Sequence, residues 1–131
     1  MSLDMYREQI LDHYKNPHHK GQMENPDAHF RDSNPLCADE FEVFLKIKDG
    51  KIEDVRFDGQ GCAISTAAAS LVSDHVKGKT LEQVKALTRE DVFAIIGVPL
   101  SPARVKCALL FYKVLKSALY AYWGEKLQEK I

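Results

Sequence analysis

Between Phe41 and Asp58 the sequence spells out a β-hairpin. Phe41, Val43, Leu45 and Ile47 alternate with Glu42, Lys46 and Lys48, the pattern of a strand with one buried face. Asp49-Gly50 follows, and this pair suits the tight two-residue turn whose central residues both need positive φ. Lys51 to Asp58 then returns as the partner strand with Val55 and Phe57 inward. A chain with this hairpin must cover one face of a small antiparallel sheet with something else.

The flanking segments supply the cover. Tyr6, Ile10, Leu11 and Tyr14 place an apolar face on a helix over Met5–Tyr14, which Asn16-Pro17 ends. A polar, irregular stretch follows to about Arg31, with an edge strand near His29-Phe30-Arg31. Gly59-Gln60-Gly61 is expected to break the sheet. From Cys62 the apolar period becomes helical and runs through Ala67, Ala68, Leu71, Val72 and Val76 to about Gly78. Two short helices, Thr80–Leu87 and Thr88–Ile96, each open on a threonine N-cap. After the loop at Gly97–Pro102, a last helix is predicted from about Ala103 to Trp123. The expected fold is α+β: a small antiparallel sheet with helices packed on one face. The 131 residues fit a single domain spanning 1–131.

With 18 basic and 19 acidic residues the formal net charge is -1, and the basic residues form no block. Neither nucleic acid nor an anionic membrane is expected as a partner. No apolar run reaches the length of a membrane span. The first residues carry Asp4, Arg7 and Glu8 in place of a basic and then apolar segment, so no signal peptide is expected and the location expected is cytoplasmic. There is no phosphate-binding glycine loop and no nucleophile elbow.

Three cysteines, Cys37, Cys62 and Cys107, are too few and odd in number for a disulfide framework. Taken singly, each reads as a small buried hydrophobe. Their positions suggest more. Cys37 lies in the loop Asn34-Pro35-Leu36-Cys37-Ala38-Asp39, Cys62 where a strand becomes a helix, and Cys107 in the first turns of the last helix. Junctions of this kind are where function concentrates. Helix N-termini near Cys62 and Cys107, with Arg104 and Lys106 beside Cys107, are expected to favour thiolates. The glycines flanking Cys62 are expected to admit a bulky ligand. Cys37, Asp39, Cys62 and Cys107 together would suit Zn²⁺ or an iron–sulfur cluster, although their spacing matches no zinc-finger pattern.

The residues around these cysteines resemble the IscU/NifU N-terminal/SufU family of iron–sulfur cluster assembly scaffolds along nearly the whole chain. Ile10-Leu11-Asp12-His13-Tyr14-Lys15-Asn16-Pro17 is similar to the family's opening helix, and Asn34–Asp39 to its first ligand loop. Gly59-Gln60-Gly61-Cys62-Ala63-Ile64-Ser65 resembles its most specific motif, and Ala103–Leu110 its third. The resemblance implies a protein that accepts sulfur from a cysteine desulfurase and assembles a transient [2Fe-2S] or [4Fe-4S] cluster. The ligands would be Cys37, Asp39, Cys62 and Cys107, and the cluster would pass to acceptor apo-proteins. It implies Zn²⁺ in the same site on isolation, and no catalytic turnover in the usual sense. The alternative is a SufU-like, zinc-dependent sulfur acceptor. Cys107 is the candidate sulfur acceptor in either case.

Two positions depart from the pattern. Lys106 stands where the IscU branch has a histidine, as in the SufU branch, yet the SufU insertion before the third cysteine has little room here. Ala38 replaces the usual glycine. Among the histidines, His13 is expected to bond locally and His18 and His19 to face solvent. His75 sits on a helix without an evident partner, and none of these is expected to bind metal. Tyr6 suits either the core or a contact with partners.

Overall fold

The structure is a computed structural model that describes residues 3–34 and 39–130, with side chains described for 5–34 and 39–124. Helix α1 (Leu3–Lys15) leads into strands β1 (Ala28–Asn34), β2 (Asp39–Lys48) and β3 (Lys51–Gln60). Helices α2 (Ala63–Val76), α3 (Leu81–Lys85), α4 (Arg89–Ile96) and α5 (Pro102–Lys130) follow. The strands form one antiparallel sheet in the order β1-β2-β3. Among the described residues no helix is long and apolar enough to cross a membrane.

The hairpin turn is the one expected: Asp49 and Gly50 take φ of 54° and 73°. A register shift between Lys46 and Ile47 lifts Ile47 out of the inward row, so it is only half-buried. Ile52 and Val55 both point inward on the partner strand. Gly59-Gln60-Gly61 does not break the sheet at its first residue. Gly59 pairs with Phe41 and the strand continues to Gln60. The reason is backbone crowding. Gly59 has φ 130°, and a Cβ there would overlap the Glu40 carbonyl oxygen, so glycine is what allows β3 to keep pairing. The edge of β3 is closed by the loop after α1: Gly21 N–H donates to Phe57 O, and Phe57 N–H to His19 O.

Helices α2 and α5 pack on the inner face of the sheet. Phe41, Phe57 and Phe111 are fully buried and form an edge-to-face ladder with centroids 5.9 and 5.6 Å apart. This ladder fixes α5 to both strands of the hairpin. Ala67, Ala68 and Ala69 are buried, and their small side chains let α2 run close to its neighbours. Thr80 and Thr88 cap α3 and α4 as predicted, each in a reciprocal capping box, with Gln83 and Asp91. Gly97 ends α4 at φ 79° with the Tyr6 ring lying against it. Tyr6 therefore packs α1 onto the end of α4.

His18 is exposed as expected, whereas His13 and His19 differ from expectation. His13 is only 5 % exposed, and its Nδ1 lies 2.6 Å from Ser70 Oγ on α2, a long-range bond and not a local one. His18 Nδ1 and His19 Nε2 each lie 2.7 Å from a different oxygen of Asp74. His19 is correspondingly shielded, with a side chain only 16 % exposed. The cause is the packing of α1 against α2, which sequence periodicity does not reveal.

Candidate metal centre

Three elements end at one place. Asp39 is the first residue of β2, Cys62 is the N-cap of α2, and Cys107 lies in the second turn of α5. One carboxylate oxygen of Asp39 and the sulfurs of Cys62 and Cys107 all lie within 4.8 Å of one another. Cys37, the fourth residue read from the sequence, lies outside the described residues.

Asp39 is 1 % exposed. Its Oδ1 accepts the Cys62 backbone N–H at 3.0 Å. Its Oδ2 is buried with no hydrogen-bond partner among the described residues. A buried carboxylate oxygen without a partner costs free energy, and a bound cation would offset that cost. Gly61 makes this approach possible, because a Cβ there would overlap Ser65 Oγ and press on Asp39 Oδ1 and the Phe41 ring. The glycine thus serves the protein's own packing at this point.

Cys62 is half-buried. Its sulfur caps α2 by accepting from Ser65 N–H at 3.5 Å and from Ser65 O–H at 3.4 Å. Burial opposes the Cys62 thiolate, and so does the nearby Asp39. The Ser65 hydroxyl and the Ser65 and Ile64 amides outweigh both and hold the thiol below its ordinary value. Ser65 is a contributor that the sequence reading quoted but gave no role. Its signal is its place three residues after a helix N-cap, where the first turn's N–H groups are unpaired.

Cys107 is 2 % exposed, and its sulfur lies 3.8 Å from Ala103 O. It is the sixth residue of α5, so its own N–H falls beyond the unpaired first turn. The dipole effect expected there is weak at that depth. Arg104 supplies the charge instead. The thiolates of Cys62, foremost, and Cys107 raise its guanidinium above the ordinary value, which places the cation beside both sulfurs. Lys106 does not share this role. It is exposed and lines another groove with Asn34, Arg89, Tyr112 and Lys113. One residue along a helix turns a side chain by about 100°, so Arg104 and Cys107 share a side and Lys106 does not. Arg104 also borders a groove of about 480 Å³, with Ile10, Ile64, Val98, Pro99 and Leu100 among its lining.

A carboxylate and two thiols at this separation, one sulfur activated and one carboxylate oxygen unpartnered, make a donor set for a metal that accepts sulfur and oxygen. Residues 5–129 match the family model of the NifU-like N-terminal domain. The iron–sulfur cluster assembly scaffold protein IscU 1 of Archaeoglobus fulgidus is 34 % identical over 119 residues, covering 91 % of this chain and 77 % of that one. The zinc-dependent sulfurtransferase SufU of Bacillus subtilis is 34 % identical over 132 residues, covering 88 % and 89 %. Among solved structures, a candidate iron–sulfur cluster assembly scaffold for the SUF system from Fervidobacterium islandicum superposes with a TM-score of 0.73. It is 30 % identical and covers 91 % of this chain and 99 % of that one.

Proposed function

The chain belongs to the family of NifU-like N-terminal domains, and from that premise we infer that it is a scaffold for iron–sulfur cluster assembly. It accepts sulfur from a cysteine desulfurase, holds the growing cluster as cargo, and delivers it to apo-proteins. The observation that carries this reading is the unpartnered, buried Oδ2 of Asp39 beside two cysteine sulfurs. A structural zinc site is normally closed by four Cys or His ligands. A carboxylate among thiols gives a hard, exchangeable corner suited to cargo that must leave.

Cys37, Asp39, Cys62 and Cys107 would hold the cluster, or Zn²⁺ in its place. Two peptide links join Cys37 to Asp39, so their Cα atoms cannot stand more than about 7 Å apart. Bound Zn²⁺ would keep the thiols deprotonated. The chain's own part is to supply thiolates. Ser65 donates to Cys62, and Arg104 sets a cation beside Cys62 and Cys107. In sulfur acceptance, a thiolate of this chain attacks the outer sulfur of the desulfurase persulfide. The sulfur–sulfur bond breaks, the desulfurase cysteine leaves as a thiolate, and the persulfide remains here. Cys107 stays the candidate acceptor. Its 2 % exposure contrasts with that of Arg104, which is exposed and so is open to an approaching donor.

The SufU-like reading, sulfur acceptance with zinc and no stable cluster, keeps its place because a zinc-dependent sulfurtransferase is as similar as the scaffold relatives. Anaerobic reconstitution with iron, cysteine and a desulfurase separates the two. A scaffold yields a visible-absorbing chromophore with iron and sulfide in stoichiometric amounts. A colourless chain that still takes up persulfide sulfur would reverse the preference.

A further inference from the structure

Away from the cysteines, metal-ligating side chains also converge where α1, the loop after it and the C-terminal end of α2 meet. A ring nitrogen of His13, a ring nitrogen of His18 and a carboxylate oxygen of Asp74 lie within 4.8 Å of one another. The two rings are 4.4 Å apart, centroid to centroid. We propose that His13, His18 and Asp74 form a second metal site, for a divalent transition ion such as Zn²⁺, with Ser70 and His19 as its outer supports.

The donor chemistry fits. Two borderline imidazoles and one harder carboxylate make a donor set that zinc accepts, as two histidines and a carboxylate do in catalytic zinc sites. Three protein donors leave one open position, the arrangement of an exchanging site. Zinc–ligand bonds of about 2 Å set tetrahedral donors about 3.3 Å apart. The donors here stand between 2.7 Å, for His18 Nδ1 and Asp74 Oδ2, and the 4.8 Å limit of the group. Small side-chain adjustments therefore suffice.

The supports fit as well. Ligand histidines usually bond their second nitrogen to a fixed partner. His13 Nδ1 lies 2.6 Å from Oγ of Ser70, which is fully buried, so Nε2 is the nitrogen a metal would have to use. Ser70 Oγ also accepts the His18 backbone N–H at 2.8 Å, so one hydroxyl positions both histidines. His19 Nε2 holds the other oxygen of Asp74 at 2.7 Å. A plain carboxylate bridge between His18 and His19 would account for those two residues on Asp74. The Ser70 bond accounts for the burial of His13, and what the metal reading adds is a use for all three donor groups gathered within 4.8 Å.

The test is zinc stoichiometry of the full-length chain at neutral pH, measured by competition with a chromophoric chelator. The chain and its Cys62→Ser, His18→Asn and combined variants are compared. The expected result is that Cys62→Ser and His18→Asn each lose a different equivalent and the combined variant loses both. Imidazole ¹⁵N resonances of His13 and His18 in Cys62→Ser should shift strongly on adding Zn²⁺, while those of His29 and His75 stay in place. Unchanged zinc uptake in His18→Asn, or unmoved His13 and His18 resonances, overturns the proposal. Loss of all zinc on Cys62→Ser alone overturns it too. If His18→Asn loses an equivalent and Cys62→Ser does not, this site stands and the cysteine site fails, so the two readings are distinguishable.

Discussion

Replacing Asp39 by alanine should make the metal-free protein more stable and the zinc-loaded protein less so. In the absence of metal the wild-type chain buries a carboxylate that is 1 % exposed and whose Oδ2 has no partner among the described residues. Such a group costs about 1–3 kcal/mol, and more where charge is involved. The substitution also removes the acceptor of the Cys62 N–H, a bond of 3.0 Å. Cys62 is only half-buried, so water can replace that bond, at a cost of about 1 kcal/mol or less. The balance favours Asp39→Ala by about 1–2 kcal/mol, or roughly 3–8 °C in Tm for a domain of this size. With zinc at about a thousand times its Kd, wild type gains about 4 kcal/mol by mass action. Loss of a direct ligand should weaken binding by about a hundredfold or more, since loss of an outer-shell partner alone costs about 10–100-fold, and at about 1.4 kcal/mol per factor of ten this removes about 2.7 kcal/mol of that gain. The order of stability should therefore reverse when zinc replaces chelator. Urea denaturation of both chains under both conditions measures it. If Asp39→Ala is the less stable chain without metal, or if zinc stabilises both chains equally, the reasoning about Oδ2 is wrong.

Other outcomes follow from neighbouring contacts. Arg104→Ala should slow alkylation of Cys62 several-fold at neutral pH, read by peptide mapping, whereas Lys106→Ala should change it little because Lys106 lines a different groove. Gly97→Ala should cost at least about 1–3 kcal/mol, since it forces φ 79° on a residue with a Cβ and drives that Cβ into the Tyr6 ring. Tyr6→Ala in the same chain should recover the overlap component but not the backbone component. Burial first, and the His18 ring second, hold the His13 imidazole below its ordinary value against the opposing pull of Asp74 and Asp12. The unfolded chain therefore binds the proton more readily, and stability should fall as pH drops below about 6.5. His13→Gln should flatten that slope in urea titrations across the same range.

Local signals in the sequence foretold local structure well. The Asp49-Gly50 turn, the Thr80 and Thr88 caps and the last helix depend on neighbours within a few residues, and the chain states those directly. The Cys62 junction is legible for a related reason: β3 ends at Gln60 and α2 begins at Ala63, so Cys62 falls where one becomes the other. What stayed hidden depends on pairs far apart in sequence. The Gly59 carbonyl crowding comes from Glu40 on the neighbouring strand. The His13–Ser70 and His18–Asp74 bonds span the α1–α2 packing. The choice between Arg104 and Lys106 at the thiols lies in helical spacing, since only Arg104 is three residues from Cys107, whereas charge alone does not distinguish the two.

Helix α2 ties the two ligand clusters together and also keeps them apart. Cys62 caps its N-terminus, and Asp74 lies in its last turn. Twelve residues of α-helix separate them by about 18 Å, about twice the Debye length at physiological ionic strength. His18 and Asp74 are exposed, so water and salt screen much of the charge introduced there over that distance, and occupancy of the two clusters should be additive to a first approximation. Any coupling must be mechanical. The buried stretch from Ser65 to Ser73 packs against α1, α4, α5 and β3, and close-packed interiors transmit displacement with little give. Pulling His13 and His18 together over Asp74 would press α1 onto α2. Tyr6 of the same helix rests on Gly97, at the start of the Gly97–Ser101 loop that leads to Arg104. Any effect of an ion at the histidine end on the cysteine end would therefore pass through α1 and Tyr6 to the wall of the groove beside Arg104. Raising the salt concentration should leave that influence intact, whereas Gly97→Ala should alter it.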